Sequence, residues 1–124
     1  MKKLLSLVVL SIAFLISAFS MAAQAANQVQ ALHILVPSEE QAVMIRHKIV
    51  DGADKQQVFQ NFMSAAKQYS KCPSGKSGGI LGWFGKGDMV KPFEEAAFNL
   101  PNGEVSEPVK TQFGWHLIYV ISKK

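Results

Sequence analysis

Fifteen residues in the middle of the chain, Ser70-Lys71-Cys72-Pro73-Ser74-Gly75-Lys76-Ser77-Gly78-Gly79-Ile80-Leu81-Gly82-Trp83-Phe84, set the terms for everything around them. Glycine costs about 1 kcal/mol relative to alanine inside a helix, and proline removes a backbone donor, so the first ten residues cannot extend a helix or a regular strand. They read as a packed loop, and Gly78, Gly79 and, just beyond it, Gly82 permit left-handed backbone and close approach of neighbouring chain. Ile80 to Phe84 then reads as a short apolar strand interrupted by Gly82. The stretch also holds the single cysteine of the protein, Cys72. Residues before it form a scaffold that leads to it, and residues after it supply apolar and histidine side chains that could close a pocket over it.

Upstream, Val29 to Val36 is apolar on both alternating faces, as suits a buried strand, and Pro37 stops it. Ser38-Glu39-Glu40-Gln41 is a capping-box pattern opening a helix to about Asp51, with Ala42, Ile45 and Ile49, together with Val43 and Met44, as its apolar stripe. A second helix is predicted from an Asp54 N-cap to about Tyr69, with Val58, Phe59, Phe62, Ala65, Ala66 and Tyr69 facing inward. Downstream, Gly85-Lys86-Gly87-Asp88 turns the chain, and Pro92 suits the first turn of a third helix over Lys91 to Asn99. Phe93, Ala96, Ala97 and Leu100 make its inner face. The last third alternates, with Val105 and Val109 flanking Pro108, then Trp115, Leu117, Tyr119 and Ile121 opposed to His116, Ile118 and Val120. Two antiparallel strands follow from that pattern. The element order argues for an α+β domain, a small antiparallel sheet covered by helices.

Met1-Lys2-Lys3, the apolar run Leu4 to Phe19 and the small-x-small site Ala23-Gln24-Ala25 read as a signal peptide over residues 1–25, cut after Ala25. The rival is an uncleaved membrane anchor, since the run approaches the length that spans a bilayer. Removing 1–25 takes away Lys2 and Lys3 but no acidic residue, leaving eleven basic against nine acidic side chains, a charge of +2. The lysines are scattered, so nothing argues for a nucleic-acid partner. Residues 26–124 are long enough for one core, which needs its aromatics inside.

Gly75-Lys76-Ser77 invites a phosphate-loop reading, but that motif needs glycine at position 70, and no long helix follows to aim its dipole at a phosphate. Cys72 with His33 and His116 raises cysteine nucleophilic catalysis. No helix N-terminus is evident to activate the thiol, and no oxyanion hole can be named. The same residues make a poor zinc set, since no ligands are paired in sequence and His47 belongs to the exposed face of the first helix. His33 and His116 lie in strands, where a histidine is ordinarily a satisfied core residue. If those strands are neighbours, their imidazoles could share a hydrogen bond and reach Cys72.

Six ordered blocks resemble the signatures of parvulin-type peptidyl-prolyl cis/trans isomerases: His33-Ile34-Leu35-Val36, Tyr69 to Ser74, Gly78-Gly79-Ile80-Leu81-Gly82, Met89-Val90-Lys91-Pro92-Phe93, Gly103 to Val109, and Thr111-Gln112-Phe113-Gly114-Trp115-His116-Leu117-Ile118. They span about residues 30–122. The resemblance implies a four-stranded antiparallel sheet surrounded by helices and rotation about Xaa-Pro bonds in unfolded or newly exported proteins. By matching position, Leu81, Met89, Phe93 and Phe113 would bind the proline ring. His33, Cys72, His116 and Thr111 would form the catalytic polar floor, with no metal and no cofactor. The chain is then a monomer of the periplasm, free of the membrane once the leader is cut and anchored if it is not. A catalytically weak peptide-binding chaperone with the same fold is the alternative, and a cysteine hydrolase ranks third. Three departures from the family pattern stand out: Ile80 replaces an acidic residue, about seven residues are added near Lys55 to Asn61, and Pro37-Ser38-Glu39-Glu40 lacks the basic cluster of phosphoserine-directed parvulins.

Overall fold

Two long strands form the middle of the sheet because both their faces are apolar, as strands buried on two sides must be. The computed structural model describes residues 26–124; the leader expected over 1–25 lies outside them. Strand β1 covers Gln28–Val36, and helices α1 and α2 cover Glu39–Val50 and Lys55–Tyr69. A 3₁₀ helix, Pro73–Ser77, precedes β2, Ile80–Gly85. Helix α3 spans Lys91–Asn99, and β3 (Val109–Thr111) and β4 (Gly114–Lys123) complete the chain. The sheet has four antiparallel strands in the order β2-β1-β4-β3, the fold expected of the sequence.

Helices α1 and α2 begin where the capping residues place them. Ser38 accepts a hydrogen bond from the Gln41 amide, which is one half of the expected box. Asp54 and Gln57 form the full reciprocal box at the start of α2. Ala42, Ile45 and Ile49 turn inward from α1, whereas Val43 and Met44 are exposed, so the inward stripe is narrower than expected. From α2, Val58, Phe62, Ala65 and Ala66 are buried, and Phe59 and Tyr69 pack half-buried at the margin. These residues close one face of the sheet, against Leu32, Ile34, Val36, Leu117 and Tyr119.

The other face carries Val29, Ala31, Phe84, Ile118 and Val120, covered by Phe93 and Ala97 of α3. Ala96 and Leu100 only flank that cluster, while Glu94 is buried with them and accepts a hydrogen bond from the Gly87 amide at 2.7 Å. This contact fixes the turn between β2 and α3. Val105 makes only an isolated bridge to Tyr119. The segment is held instead by Arg46, which donates to the carbonyls of Val105 and Ser106, and by Ser106 paired with Ile118.

Candidate active site

On the α3 face the inward row of β1 runs Val29, Ala31, His33, and that of β4 runs Val120, Ile118, His116. Helix α3 covers the apolar end of both rows and leaves the histidine end at the edge of a cleft. In the register, His33 lies opposite Ile118 and Leu35 opposite His116, so the imidazoles are diagonal neighbours, within reach across a sheet. Their rings stack at 5.3 Å between centroids, with Nδ1 3.2 Å from Nδ1. Phe93 sets its ring edge-on to both, at 5.5 and 5.2 Å.

The pair belongs to a longer hydrogen-bonded chain. Thr111 Oγ1 lies 2.8 Å from His116 Nε2, Ser74 Oγ lies 3.2 Å from His33 Nε2, and Ser74 Oγ lies 3.3 Å from Cys72 Sγ. One of two facing Nδ1 atoms must donate and the other accept. If the Ser74 hydroxyl donates to Cys72 Sγ, it accepts from His33 Nε2–H. His33 Nδ1 then accepts from His116 Nδ1–H, and His116 Nε2 accepts from the Thr111 hydroxyl. Thr111 itself receives the Phe113 amide at 3.1 Å. With both rings neutral every group is satisfied, and the Cys72 S–H is free to face the cleft.

Electrostatics favour that neutral state. Burial pushes His33 down to about 4 from an ordinary 6.5, and repulsion from His116 pushes the same way. His116 is likewise lowered to about 4 by burial. At neutral pH the sheet therefore presents uncharged imidazoles.

The loop reaches this point through tight backbone docking. The His33 amide donates to Gly79 O at 2.9 Å, and Lys71 N donates to Leu35 O at 2.7 Å. Ser70 Oγ accepts from the amides of Leu35 and Cys72. Gly79, with φ +85°, lies so close to the strand that a Cβ there would overlap the His33 carbonyl oxygen. The expected irregular loop contains the 3₁₀ helix, with Cys72 at its N-cap; the cysteine side chain makes no capping bond, so the turn does not engage the thiol.

A cleft of about 510 Å³ opens above the histidines. Seven of the eight residues singled out in the sequence line it: His33, Cys72 and His116 at one end, and Leu81, Met89, Phe93 and Phe113 along its walls. The eighth, Thr111, is buried behind His116 and reaches the cleft only through it. Phe113 is 62% exposed and stands at the rim. Among the described residues no three histidine, cysteine or acidic side chains gather as a metal site would require.

The description "Rotamase: PPIC-type PPIASE domain" matches residues 23–122. The chain belongs to the PPIC-type peptidyl-prolyl isomerase family. It is 48% identical over 98 residues to the foldase protein PrsA of Geobacillus kaustophilus, an alignment covering 78% of this chain and 32% of PrsA. The chain thus spans about a third of that relative's length. NmPin, the parvulin of Nitrosopumilus maritimus, is 43% identical, with a TM-score of 0.65 over 78% of this chain and 98% of NmPin. A structure of the SurA-like chaperones PEB4 and the periplasmic protein Cj1289 of Campylobacter jejuni superposes with a TM-score of 0.76 at 38% identity, covering 90% and 46% of the two chains.

Within this PPIC-type domain Ser74 links His33 to Cys72, a role that its place in the sequence does not announce. A serine in a Gly/Ser-rich loop carries no signal of its own, and only its position after Cys72-Pro73 distinguishes it. Lys71 and Asp88, both on the cleft, were missed as well. Ile80, the unusual residue of the family pattern, is 48% exposed and does not line the cleft. Helix α2 runs unbroken from Lys55 to Tyr69 through the stretch read as added, and Asn61 ties it to α1 by donating to Ile49 O.

Proposed function

We propose that this domain accelerates rotation about Xaa-Pro bonds in unfolded or newly exported polypeptides, with no covalent intermediate and no cofactor. The observation that carries the reading is an apolar slot, Leu81, Met89, Phe93 and Phe113, joined in one cleft to an uncharged, buried histidine pair and a half-buried thiol. A proline ring fits the slot. Its imide, whose carbonyl belongs to the preceding residue, then faces Cys72 and the histidines.

The barrier to rotation, roughly 18–20 kcal/mol, is the amide resonance lost when the C–N bond twists. A planar imide is the more charge-separated form, so uncharged apolar walls favour the twisted form relative to water. The slot holds the ring while the carbonyl side turns. Cys72 contributes a weak S–H donor whose direction is set by Ser74 and, through it, by His33, His116 and Thr111. In this reading the histidines act as a rigid, neutral, fully bonded platform. Proton transfer is not required of them.

A protease-coupled prolyl assay on a tetrapeptide tests the reading: acceleration is expected, and peptide binding without acceleration would replace it with a peptide-binding chaperone. We also propose export to the periplasm with the leader removed after Ala25, supported by the basic start, apolar run and Ala23-Gln24-Ala25 site. N-terminal sequencing of the protein recovered from the periplasm should begin at Ala26. An intact leader would mean an anchored protein.

A further inference from the structure

With His33 and His116 neutral, the charged side chains that line the cleft are Lys71 and Asp88. They are not equivalent. The Asp88 carboxylate already accepts the Gly85 amide at 2.8 Å, closing the turn after β2, and Asp88 sits beside Met89 on the wall of the proline slot. Lys71 has its backbone pinned to Leu35 O, while its side chain is exposed. Among the described residues the ion pairs are Arg46–Glu107 and His47–Asp51, so the Lys71 ammonium has no carboxylate partner.

Lys71 immediately precedes Cys72, at the end of the cleft where the rotating carbonyl belongs. That carbonyl is part of the residue before proline, and the side chain of that residue leaves from the adjacent Cα. Resting on the isomerase reading of the same cleft, we propose that Lys71 is a specificity-determining residue that selects substrates with a carboxylate side chain directly before proline. A lysine ammonium is a flexible point charge, so it rewards a nearby negative charge without demanding one geometry. It repels a cationic residue at the same place. The pairing is solvent-exposed, and exposed pairs are individually weak and screened by salt. The mechanism therefore predicts a graded preference, and hydrophobic Xaa residues remain substrates.

The test compares peptides that differ only in the residue before proline: glutamate, its neutral isostere glutamine, and lysine. Isomerisation is followed by exchange NMR, and binding of the same peptides is measured in parallel. The expected ratio of glutamate over glutamine in kcat/KM is about twofold to fivefold at low salt, shrinking toward one as ionic strength rises to about 0.5 M. Lysine should rank below glutamine. In Lys71→Gln the glutamate/glutamine ratio should collapse to about one, and in Lys71→Glu the order of glutamate and lysine should invert. Ratios are compared within each variant, so a general loss of activity does not affect them. An unchanged ratio in Lys71→Gln, or wild-type indifference to all three residues in both rate and affinity, overturns the proposal. A charge order seen in affinity, and abolished by Lys71→Gln, with no peptide accelerated would keep the selectivity and remove the isomerase reading.

Discussion

On the face covered by α1 and α2, the inward residues of β1 and β4 are Leu32, Ile34, Val36, Leu117 and Tyr119, and they meet Ile45, Ile49 and Phe62. On the opposite face the same two strands begin alike, with Val29, Ala31, Ile118 and Val120, but the next positions toward the cleft are His33 and His116. The first face is sealed by two helices. The second is half sealed by α3, and its remaining half is the floor of a cleft. Because one pair of strands supplies both faces, the packing that stabilises the first also fixes the positions of the histidines on the second. The histidine face gives up part of the apolar burial that Leu or Ile would supply there, and recovers some of it by bonding every polar group into one chain.

Breaking the sealed face should have the largest effect. Phe62 is fully buried and packs at a tilt against Tyr119, at 5.8 Å between ring centroids. Phe62→Ala should lower unfolding free energy by about 3–5 kcal/mol in urea titrations. Turnover per folded molecule should change little, since the cleft lies on the other side of the sheet. A matched collapse of activity in the fully folded variant would mean that the two faces are not separable.

The junction between loop and sheet comes next. Gly79→Ala places a methyl group against the His33 carbonyl at a φ of +85°, so the loop must move. The expected cost is about 1–3 kcal/mol, with kcat/KM falling about tenfold or more as Cys72 shifts away from the histidines. Gly82→Ala is the control. Its φ is +77° but nothing lies within 4 Å of the added Cβ, so it should cost stability alone, about 1–2 kcal/mol.

The same contrast explains what could be read in the sequence. Strand β1, both capped helices and the alternation of β4 were legible because periodicity and caps are local signals that burial then obeys. Val43 and Met44 are exposed although the pattern places them on the stripe, because apolar residues at neighbouring helical positions widen a stripe that the packed helix keeps narrow. The 3₁₀ turn was missed because it depends on docking: Gly75 is buried against Ala66 O and Ser70, partners that no local pattern announces. Leu81, Met89, Phe93 and Phe113 are ordinary core residues by default, set apart by lying beside the loop and turns where an apolar side chain can line a cleft, and the resemblance to parvulins adds the proline ring as what they hold. Ser74 and Lys71 fall inside the block Tyr69 to Ser74 and Asp88 inside a turn, but neither local pattern nor the resemblance gives any of the three a role of its own.

Acid should sharpen the difference between the faces, because the two histidines whose values burial lowers both belong to the cleft face. The folded protein holds His33 and His116 near 4, whereas the unfolded chain titrates near 6.5. Between those values the unfolded state binds more protons, so stability falls as pH falls through that window and levels off for these two groups below about 4. The slope should reach at most about 1.4 kcal/mol per pH unit for each histidine. Urea titrations between pH 7 and 4.5 would measure it, and a His33→Leu/His116→Leu double variant should flatten the curve. An equal slope in that variant would place the acid sensitivity elsewhere.

Cys72→Ser should have the smallest effect of all. A serine hydroxyl can receive the Ser74 hydrogen bond that Sγ receives at 3.3 Å, and it still offers a donor to the cleft. Walls, slot and histidine platform are untouched. If Cys72 contributes one polar contact, its replacement changes kcat/KM by about tenfold at most. A nucleophile allows no such tolerance, because a serine with no base directed at it cannot form the adduct at a comparable rate. His33 Nε2 is bonded to the Ser74 hydroxyl, and it is that hydroxyl that donates toward Sγ, so no base is directed at the thiol. Activity of the serine variant in the prolyl assay therefore separates a thiol that shapes the field of the cleft from one that attacks the peptide, and loss of all activity with the fold intact would decide for attack.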